Sequence, residues 1–238
     1  MRNPIIAALD VPSADAALAL ARELASVVGG LKIGSELFTA AGPGIVSKIR
    51  ETGAAVFLDL KFHDIPNTVS RAVAAATRLD VQMLTVHAGG GTAMLEAAEK
   101  SARDSAQLLG RTAPLVLGVT VLTSMDGPAL SEVGVQADAG SQVERLAALA
   151  VQAGLRGLVC SPREIAGLRK LIPREIQLAV PGIRDGTSPP DDQKRTMAAA
   201  EAMAAGADWL VIGRPICAAK SPRGAAEQIL AAIAAGAR

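Results

Sequence analysis

The sequence has few aromatic residues, few cysteines and few histidines. Its 238 residues include three Phe, one Trp and no Tyr, and its formal net charge is +1. Without stacking aromatics or excess positive charge, a nucleic-acid partner is not expected. Cys160 and Cys217 lie far apart without metal-ligand spacing, so we expect buried thiols in a reducing compartment and no metal. His63 and His87 are predicted to be structural.

A long hydrophobic run is also lacking at the start of the chain. The apolar N-terminal segment ends at Asp10, which makes it too short for a signal peptide or a membrane span. A cytoplasmic protein without a membrane partner is therefore expected. Half of the residues are hydrophobic and 20% are charged, which allows a sizeable core. Because Ala, Leu, Val and Ile carry this apolar volume, parallel strands packed under small-faced helices are favoured.

Short, mostly apolar segments alternate eight times with Ala-rich segments of helical pattern. Each short segment is flanked by Gly, Asp or Pro, which is typical of buried parallel strands. The predicted strands are Pro4–Asp10, Gly30–Gly34, Ala55–Lys61, Met83–Ala88, Leu115–Leu122, Gly157–Ser161, Gln177–Ile183 and Trp209–Ile216. Eight such units without a linker predict an α/β fold, a single (β/α)8 TIM barrel over residues 1–238. The alternative is an open doubly wound sheet, but its usual Gly-rich turn is missing after the first strand.

Capping residues and prolines mark several helix boundaries. Ser13 is expected to cap the first helix, and Ser161-Pro162 opens another with proline at its first position. The last helix is expected to follow Ser221-Pro222. A further helix is predicted to start near Asp191 and to run to about Ala205.

Polar side chains accumulate where the predicted strands end. In a TIM barrel the functional residues come from the C-terminal ends of the strands. The polar residues at these positions are Asp10, Lys32, Asp59, Lys61, Thr123, Ser124, Arg184 and Arg214. This much charge at strand ends is hard to explain by packing, so we expect the functional site there.

The run Asp59-Leu60-Lys61-Phe62-His63-Asp64-Ile65-Pro66-Asn67-Thr68 is the sharpest feature of the sequence. Alternate residues of a strand share a face, so Asp59 and Lys61 are predicted to point together into the barrel mouth. Lys32 ends the preceding strand, and Asp64 comes just past this one. The pattern predicts an alternating Lys–Asp–Lys–Asp cluster. A structural ion-pair network is the alternative, but the cost of burying four charges favours a functional use.

This run resembles the signature of the orotidine 5′-monophosphate decarboxylase family. Other segments are similar to the same family and follow its order: Leu31-Lys32-Ile33-Gly34, Leu122-Thr123-Ser124-Met125, Val180-Pro181-Gly182-Ile183-Arg184, Asp192-Gln193-Lys194-Arg195 and Ile212-Gly213-Arg214-Pro215-Ile216. The resemblance covers nearly the whole chain. It implies an enzyme of de novo UMP synthesis that removes CO2 from orotidine 5′-monophosphate without a cofactor.

The resemblance also implies a role for each charged residue of the cluster. Lys61 would protonate C6 of the pyrimidine as CO2 departs, and Asp59 would lie against the substrate carboxylate. Lys32 would bind both the ribose and the charge network. Asp64 would be the fourth catalytic residue of the network and would also bind the substrate, as would Ile65 and Thr68. In the family, the residues that correspond to Asp64 and Thr68 contribute to the active site of the neighbouring subunit. The resemblance therefore implies a homodimer with two shared sites.

The resemblance implies that residues from the ends of three strands bind the nucleoside. Asp10 would accept a hydrogen bond from a ribose hydroxyl, and Pro181 would pack on the pyrimidine ring. Ser124, with Thr123 beside it, would contact the pyrimidine amide.

The phosphate would be bound at the other end of the site. Gln193 would bridge the base and the phosphate, which the Gly213 backbone and the Arg214 side chain would hold. Arg184 would begin a loop that closes over it.

Two other functions remain open. A magnesium-dependent keto-hexulose-phosphate decarboxylase or aldolase of the same superfamily would share the Asp-x-Lys-x-x-Asp run. Such an enzyme would carry an acidic residue near the position that Lys32 occupies, so Lys32 argues against it. Ser124 and Gln193 also suit a pyrimidine base better than a sugar phosphate. A non-catalytic phosphoribosyl-binding barrel would keep the phosphate grip without the four charges, whereas this chain retains them, Lys61 included.

Overall fold

The computed structural model describes residues 3–136, 138–184 and 196–236. Its strands form one closed parallel barrel in sequence order, and the last strand pairs with the first through Leu210 and Ile5. The strands are β1 Ile5–Ala8, β2 Gly30–Gly34, β3 Val56–Phe62, β4 Met83–His87, β5 Leu115–Val119, β6 Gly157–Val159, β7 Gln177–Val180 and β8 Trp209–Ile212. The predicted TIM barrel is confirmed, and each strand overlaps its predicted segment.

Helices surround the barrel. Those in the described residues are α1 Ala14–Leu24, α2 Ser35–Ala41, α3 Gly44–Arg50, α4 Pro66–Arg78, α5 Thr92–Leu108, α6 Gly127–Glu132, α7 Ala139–Gln152, α8 Ile165–Leu171, α9 Ala199–Ala205, α10 Arg214–Cys217 and α11 Pro222–Gly236. Short 3₁₀ turns lie at Ala88–Gly90 and Pro162–Glu164. Ser13 caps α1 by accepting a hydrogen bond from the Ala16 amide, as predicted. None of these helices has the length and apolar character needed to cross a membrane.

Several predicted boundaries are wrong. β5 and β7 end at Val119 and Val180, before the predicted Leu122 and Ile183. The last strand ends at Ile212, because Arg214 begins the short helix α10 and Pro215 lacks the amide that a strand ladder needs. The predicted helix ending near Ala205 begins at Ala199 within the described residues. Met197 lies outside that helix because its backbone pairs with Ile183 in a parallel bridge. The predicted start near Asp191 lies outside the described residues.

Alternation along the strands divides the core into two layers. Ile5 and Ala7 point outward and pack under the helices, whereas Ile6 and Ala8 point into the barrel. The inner layer is formed by Ile6, Ala8, Phe57, Met83, Leu115, Leu117, Ala179, Trp209 and Val211. Its two aromatic residues come from the sequence's small supply of four. The packed interior leaves open space at the C-terminal ends of the strands, where the site lies.

Candidate active site

A cavity of about 560 Å³ opens at the C-terminal ends of the strands. Apolar residues that face the barrel interior form part of its wall: Ala8, Phe57, Val119, Val159 and Val211. Charged and polar residues form another part: Asp10, Lys32, Asp59, Lys61, Thr123, Arg184 and Arg214. An apolar cavity with a few convergent polar groups is typical of a small-molecule site.

An alternating chain of charges runs along one wall of this cavity. The Lys61 ammonium lies 2.8 Å from Asp59 Oδ1, and Asp59 Oδ2 lies 3.6 Å from Lys32 Nζ. Lys32 Nζ also donates a hydrogen bond of 2.9 Å to Asp10 Oδ1. The structure thus brings Lys61, Asp59 and Lys32 together, with Asp10 as the fourth member within one protomer.

Asp64 does not join this chain within the protomer. It is exposed beyond the end of β3, and its Oδ1 accepts a hydrogen bond of 2.6 Å from the Ile65 amide. Ile65 and Thr68 are exposed as well, at the start of α4. These three residues are therefore positioned to face outward rather than into their own cavity.

Burial and positive charge act in opposite directions on Asp59. Burial alone would raise the pKa of its carboxyl, because the charged form loses hydration. The ammonium groups of Lys32 and Lys61, together with hydrogen bonds from Lys61 and Thr85, outweigh this effect and hold the pKa below its ordinary value. Asp59 is therefore ionised at neutral pH.

Lys61 reaches Asp59 through an unusual backbone conformation. Its φ of 52° lies in the left-handed region, and the pairing of β3 with β4 changes register between Leu58 and Phe62. For a residue other than glycine this costs roughly 1–2 kcal/mol. The simple alternation used to predict the shared face of Asp59 and Lys61 therefore fails locally, although the two side chains do meet. Backbone strain of this kind concentrates at functional sites.

Thr85 holds this segment and was missed in the sequence. Its hydroxyl accepts a hydrogen bond of 2.8 Å from the Lys61 amide and donates one of 3.0 Å to Asp59 Oδ1. The signal available was a polar residue in the inward register of β4, two positions from the inward-facing Met83. Recognising it required knowing that β3 is irregular at Lys61, so that the Lys61 amide meets a side chain of β4.

Gly34 provides the space in which Lys32 and Asp10 meet. A Cβ at this position would lie 3.1 Å from Lys32 Nζ and 3.2 Å from Asp10 Oδ1. The residue ends β2 directly beside the charge chain. The glycine here therefore allows the close approach of these side chains and is not required by an unusual φ.

The other predicted site residues fall into three groups. Five line the cavity: Thr123, Pro181, Arg184, Gly213 and Arg214. Ser124 is exposed and is not part of the lining. Gln193 lies outside the described residues.

Two further titratable groups lie near the charge chain. The His87 ring is stacked obliquely 5.4 Å from that of His63, and burial lowers its pKa, helped by His63 and Lys61 against the effect of Asp59. Burial, reinforced by Asp10 and opposed by Lys32, raises the pKa of the Cys217 thiol to about 12. Cys217 is therefore a neutral thiol, and its Sγ lies 3.2 Å from the Ala8 carbonyl oxygen.

Metal ligation finds little support in this geometry. Within residues 3–136, 138–184 and 196–236, His, Cys, Asp and Glu side chains form no group of three that could hold a metal ion. Asp10 and Asp59 are the carboxylates of the cavity wall, and the Lys32 ammonium lies between them.

The model of the orotidine 5′-phosphate decarboxylase / HUMPS family matches residues 3–229. The chain belongs to this family. The match includes every strand of the barrel and every charged residue of the cavity wall. The family name covers more than one activity, so the match by itself leaves the reaction to be argued from the site.

Individual proteins of known name are similar to this chain over nearly its whole length. An orotidine 5′-phosphate decarboxylase of Moorella thermoacetica is 50% identical over 233 residues, covering 98% of this chain and 92% of that protein. An orotidine 5′-phosphate decarboxylase of Dichelobacter nodosus is 49% identical over 231 residues, covering 97% of this chain and 99% of that protein. The crystal structure of the Lactobacillus acidophilus orotidine 5′-phosphate decarboxylase superposes with a TM-score of 0.86 at 33% sequence identity. The alignment covers 97% of this chain and 99% of that one. This family's barrel and the present one thus correspond throughout.

Proposed function

We propose that this protein decarboxylates orotidine 5′-monophosphate to UMP and CO2, the last step of de novo UMP synthesis, without a cofactor. The observation that carries the proposal is the Lys61–Asp59–Lys32 charge chain on the wall of a cavity lined by both apolar and charged residues. Relatives about half identical to this chain are named orotidine 5′-phosphate decarboxylases. The charge chain supplies the two groups that this reaction needs, an anion and a proton donor at one place.

Asp59 and Lys61 divide the chemistry between them. When the C6 carboxylate of the substrate lies against the ionised Asp59, the two anions repel each other by about 4 kcal/mol at 4 Å and an effective dielectric of 20. Departure of neutral CO2 moves the negative charge from the carboxylate to C6 and so relieves this repulsion. The bonding pair stays on C6 as a carbanion, which the Lys61 ammonium stabilises and then protonates. Water subsequently returns a proton to Lys61.

The ribose fits the open end of the charge chain. The Asp10 side chain is 58% exposed, so its carboxylate can accept hydrogen bonds from sugar hydroxyls. Lys32 touches both Asp10 and Asp59, which lets one ammonium contact the ribose and stabilise the charge network. Thr123 and Pro181 line the same cavity and would contact the pyrimidine, together with the neighbouring Ser124.

The phosphate end lies where β7 and β8 finish. Gly213 precedes α10, so its backbone amide and the Arg214 side chain can hold a phosphate, and Arg184 lines the same cavity. Gln193 would complete this grip. The phosphate takes no part in bond breaking, yet binding it can drive closure of the site and exclusion of water.

The active form would be a homodimer that shares its sites. Asp64, Ile65 and Thr68 are exposed at one edge of the barrel mouth, and Ile65 is 66% exposed although it is apolar. A second copy that covers this edge would bury Ile65 and bring Asp64 and Thr68 to the neighbouring cavity. Because Cys160 and Cys217 are thiols rather than a disulfide, a reducing compartment, the cytoplasm, suits the protein.

A magnesium-dependent hexulose-phosphate reaction fits the site less well. A divalent cation would have to bind near Asp10 and Asp59, where the Lys32 ammonium already lies between the two carboxylates and would repel it. A non-catalytic phosphoribosyl-binding barrel would have no use for strained Lys61 beside a buried carboxylate. The charge chain therefore favours the decarboxylase.

The test follows the ultraviolet absorbance of orotidine 5′-monophosphate in EDTA. We expect turnover by the wild type, and a loss of about 10²- to 10⁴-fold in Lys61→Ala, because a positioned acid contributes on that order. Lys100→Ala is the matched control, since that lysine is 76% exposed on α5 and pairs with Asp104. Failure of the wild type in EDTA, with turnover of a sugar phosphate once magnesium is added, would overturn the proposal.

A further inference from the structure

We propose that Thr85 is a positioning residue for the reaction: its hydroxyl holds the Lys61 backbone and the Asp59 carboxylate in one fixed relation. The inference rests on the decarboxylase function proposed above. Thr85 is fully buried on β4 and does not belong to the residues that line the cavity. It would therefore act through Asp59 and Lys61 rather than by touching the substrate.

The direction of both hydrogen bonds is fixed by their partners. The Lys61 amide can only donate, and the ionised Asp59 carboxylate can only accept. The Thr85 hydroxyl must therefore use a lone pair for Lys61, at 2.8 Å, and its single proton for Asp59 Oδ1, at 3.0 Å. One hydroxyl thus links the backbone of the proton donor to the side chain of the anion.

The Lys61 amide needs this partner because the strand is irregular there. The register between β3 and β4 shifts between Leu58 and Phe62, and Lys61 has a φ of 52°. Its amide points to the Thr85 side chain instead of to a backbone carbonyl of β4. Without the hydroxyl, the amide would lose its bond and the left-handed conformation would lose a support.

The Asp59 carboxylate is oriented by two hydrogen-bond donors and by one further ammonium group. Oδ1 accepts hydrogen bonds from Lys61 Nζ at 2.8 Å and from Thr85 Oγ1 at 3.0 Å, whereas Oδ2 faces Lys32 Nζ at 3.6 Å. All three residues belong to barrel strands, but the two ammonium groups end long flexible side chains, whereas the Thr85 hydroxyl is attached directly to Cβ. Thr85 is therefore the rigid member that sets the plane of the carboxylate.

The experiment compares Thr85→Val, Thr85→Ser and the wild type on orotidine 5′-monophosphate. Valine keeps the shape of threonine and removes both hydrogen bonds, whereas serine keeps the hydroxyl. We expect kcat to fall by about 100-fold in Thr85→Val, the scale of a 1 Å misplacement, with KM changed only a few-fold. Thr85→Ser should restore kcat to within a few-fold of the wild type.

Two further measurements separate positioning from a general structural role. Thr77→Val is the matched control, because Thr77 is a buried threonine of α4 whose hydroxyl donates to the Val73 carbonyl, away from the cavity. It should keep its kcat. Hydrogen exchange of the Lys61 amide, measured without substrate, should be faster in Thr85→Val and close to the wild type in Thr85→Ser. If valine prevents folding, Thr85→Ala takes its place with the same expectations.

The outcomes distinguish this inference from the function on which it rests. A wild type without activity on orotidine 5′-monophosphate would sink the proposed function, whatever the variants do. An active wild type with an equally active Thr85→Val would overturn the positioning role. So would a rise in KM at unchanged kcat, because that pattern means lost substrate binding, and so would unchanged exchange of the Lys61 amide.

Discussion

Asp59 is the residue at which opposing forces meet most directly. Burial disfavours its charge, and two ammonium groups with two hydrogen bonds more than restore it, so its pKa lies below the ordinary value. Removing either lysine would leave a buried carboxylate with less compensation. The same charge that the reaction needs is therefore tied to the stability of the barrel mouth.

This shift predicts a pH dependence of stability. Because the folded-state pKa of Asp59 is depressed, its ionisation stabilises the fold above the unfolded-state pKa of about 3.9. That contribution is lost as pH falls through the lower folded-state pKa. We expect the free energy of unfolding of the wild type to fall relative to Asp59→Asn on going from pH 7 to pH 3, measured by urea unfolding.

The control for this prediction is Asp15→Asn, an exposed carboxylate in the first turn of α1. The difference between the wild type and Asp15→Asn should change much less over the same pH range. A wild type that gains stability relative to Asp59→Asn as the pH falls would contradict the assigned direction.

At the scale of single elements, the apolar character of short segments explains what the sequence could and could not predict. Eight short apolar segments were enough for the barrel, because parallel strands buried on both faces have few other solutions. The end of β8 was not predictable from apolar character, since Pro215 and Ile216 are again apolar although they already belong to α10. Met197 was likewise assigned to a helix because its partner Ile183 is distant in sequence.

The same reasoning explains how much of the site was foreseen. Lys32, Asp59 and Lys61 follow from strand ends, because side chains at neighbouring strand ends must converge. Thr85 did not follow, because its role depends on a bulge in the adjacent strand that no local pattern in β4 encodes. Asp10 was expected at the site, but its direct contact with Lys32 depends on the space left by Gly34.

Gly34 gives a prediction for the end of β2. In Gly34→Ala the new methyl group would press on Lys32 Nζ and Asp10 Oδ1, which lie at the ends of movable side chains. We therefore expect a change of less than about 1 kcal/mol in the free energy of unfolding, because the fold can adjust. We expect a fall of about 10-fold in kcat/KM for orotidine 5′-monophosphate, which corresponds to 1.4 kcal/mol.

Gly44→Ala is the control for this substitution. Gly44 begins α3, and a Cβ there would meet nothing within 4 Å. That variant should keep both its stability and its kcat/KM. A Gly34→Ala enzyme with unchanged kinetics would show that the Lys32–Asp10 contact can be displaced without consequence.

At the scale of the whole molecule, the two ends of the barrel use charge differently. Ion pairs at the N-terminal ends of the strands join neighbouring units, as in Arg156 with Glu99, at 3.0 Å, and Arg50 with Asp80, at 2.9 Å. At the C-terminal ends, Lys61, Asp59 and Lys32 converge on a cavity instead. Charge by itself thus does not identify the site, whereas its position relative to strand direction does.

A second property at the scale of the whole molecule is the proposed dimer, in which each active site takes residues from both protomers. Lys61 and Asp59 lie 2.8 Å apart in one protomer, whereas Asp64 is exposed outside that cavity. If Asp64 serves the neighbouring cavity, Lys61→Ala and Asp64→Ala should each abolish most activity. A dimer that contains one copy of each variant would nevertheless have one intact site, with Lys61 from one copy and Asp64 from the other.

Mixing the two variants under conditions that exchange subunits tests this arrangement. Random exchange makes half of the dimers mixed, each with one intact site of two, so recovery of about a quarter of wild-type activity is expected. Lys61→Ala mixed with Asp59→Asn is the matched control, because both residues belong to the same protomer's cavity and every site keeps a lesion. Recovery in the first mixture and none in the second would follow from shared sites. Without recovery in the first, although mass measurements show mixed dimers, Asp64 acts within its own protomer or not at all.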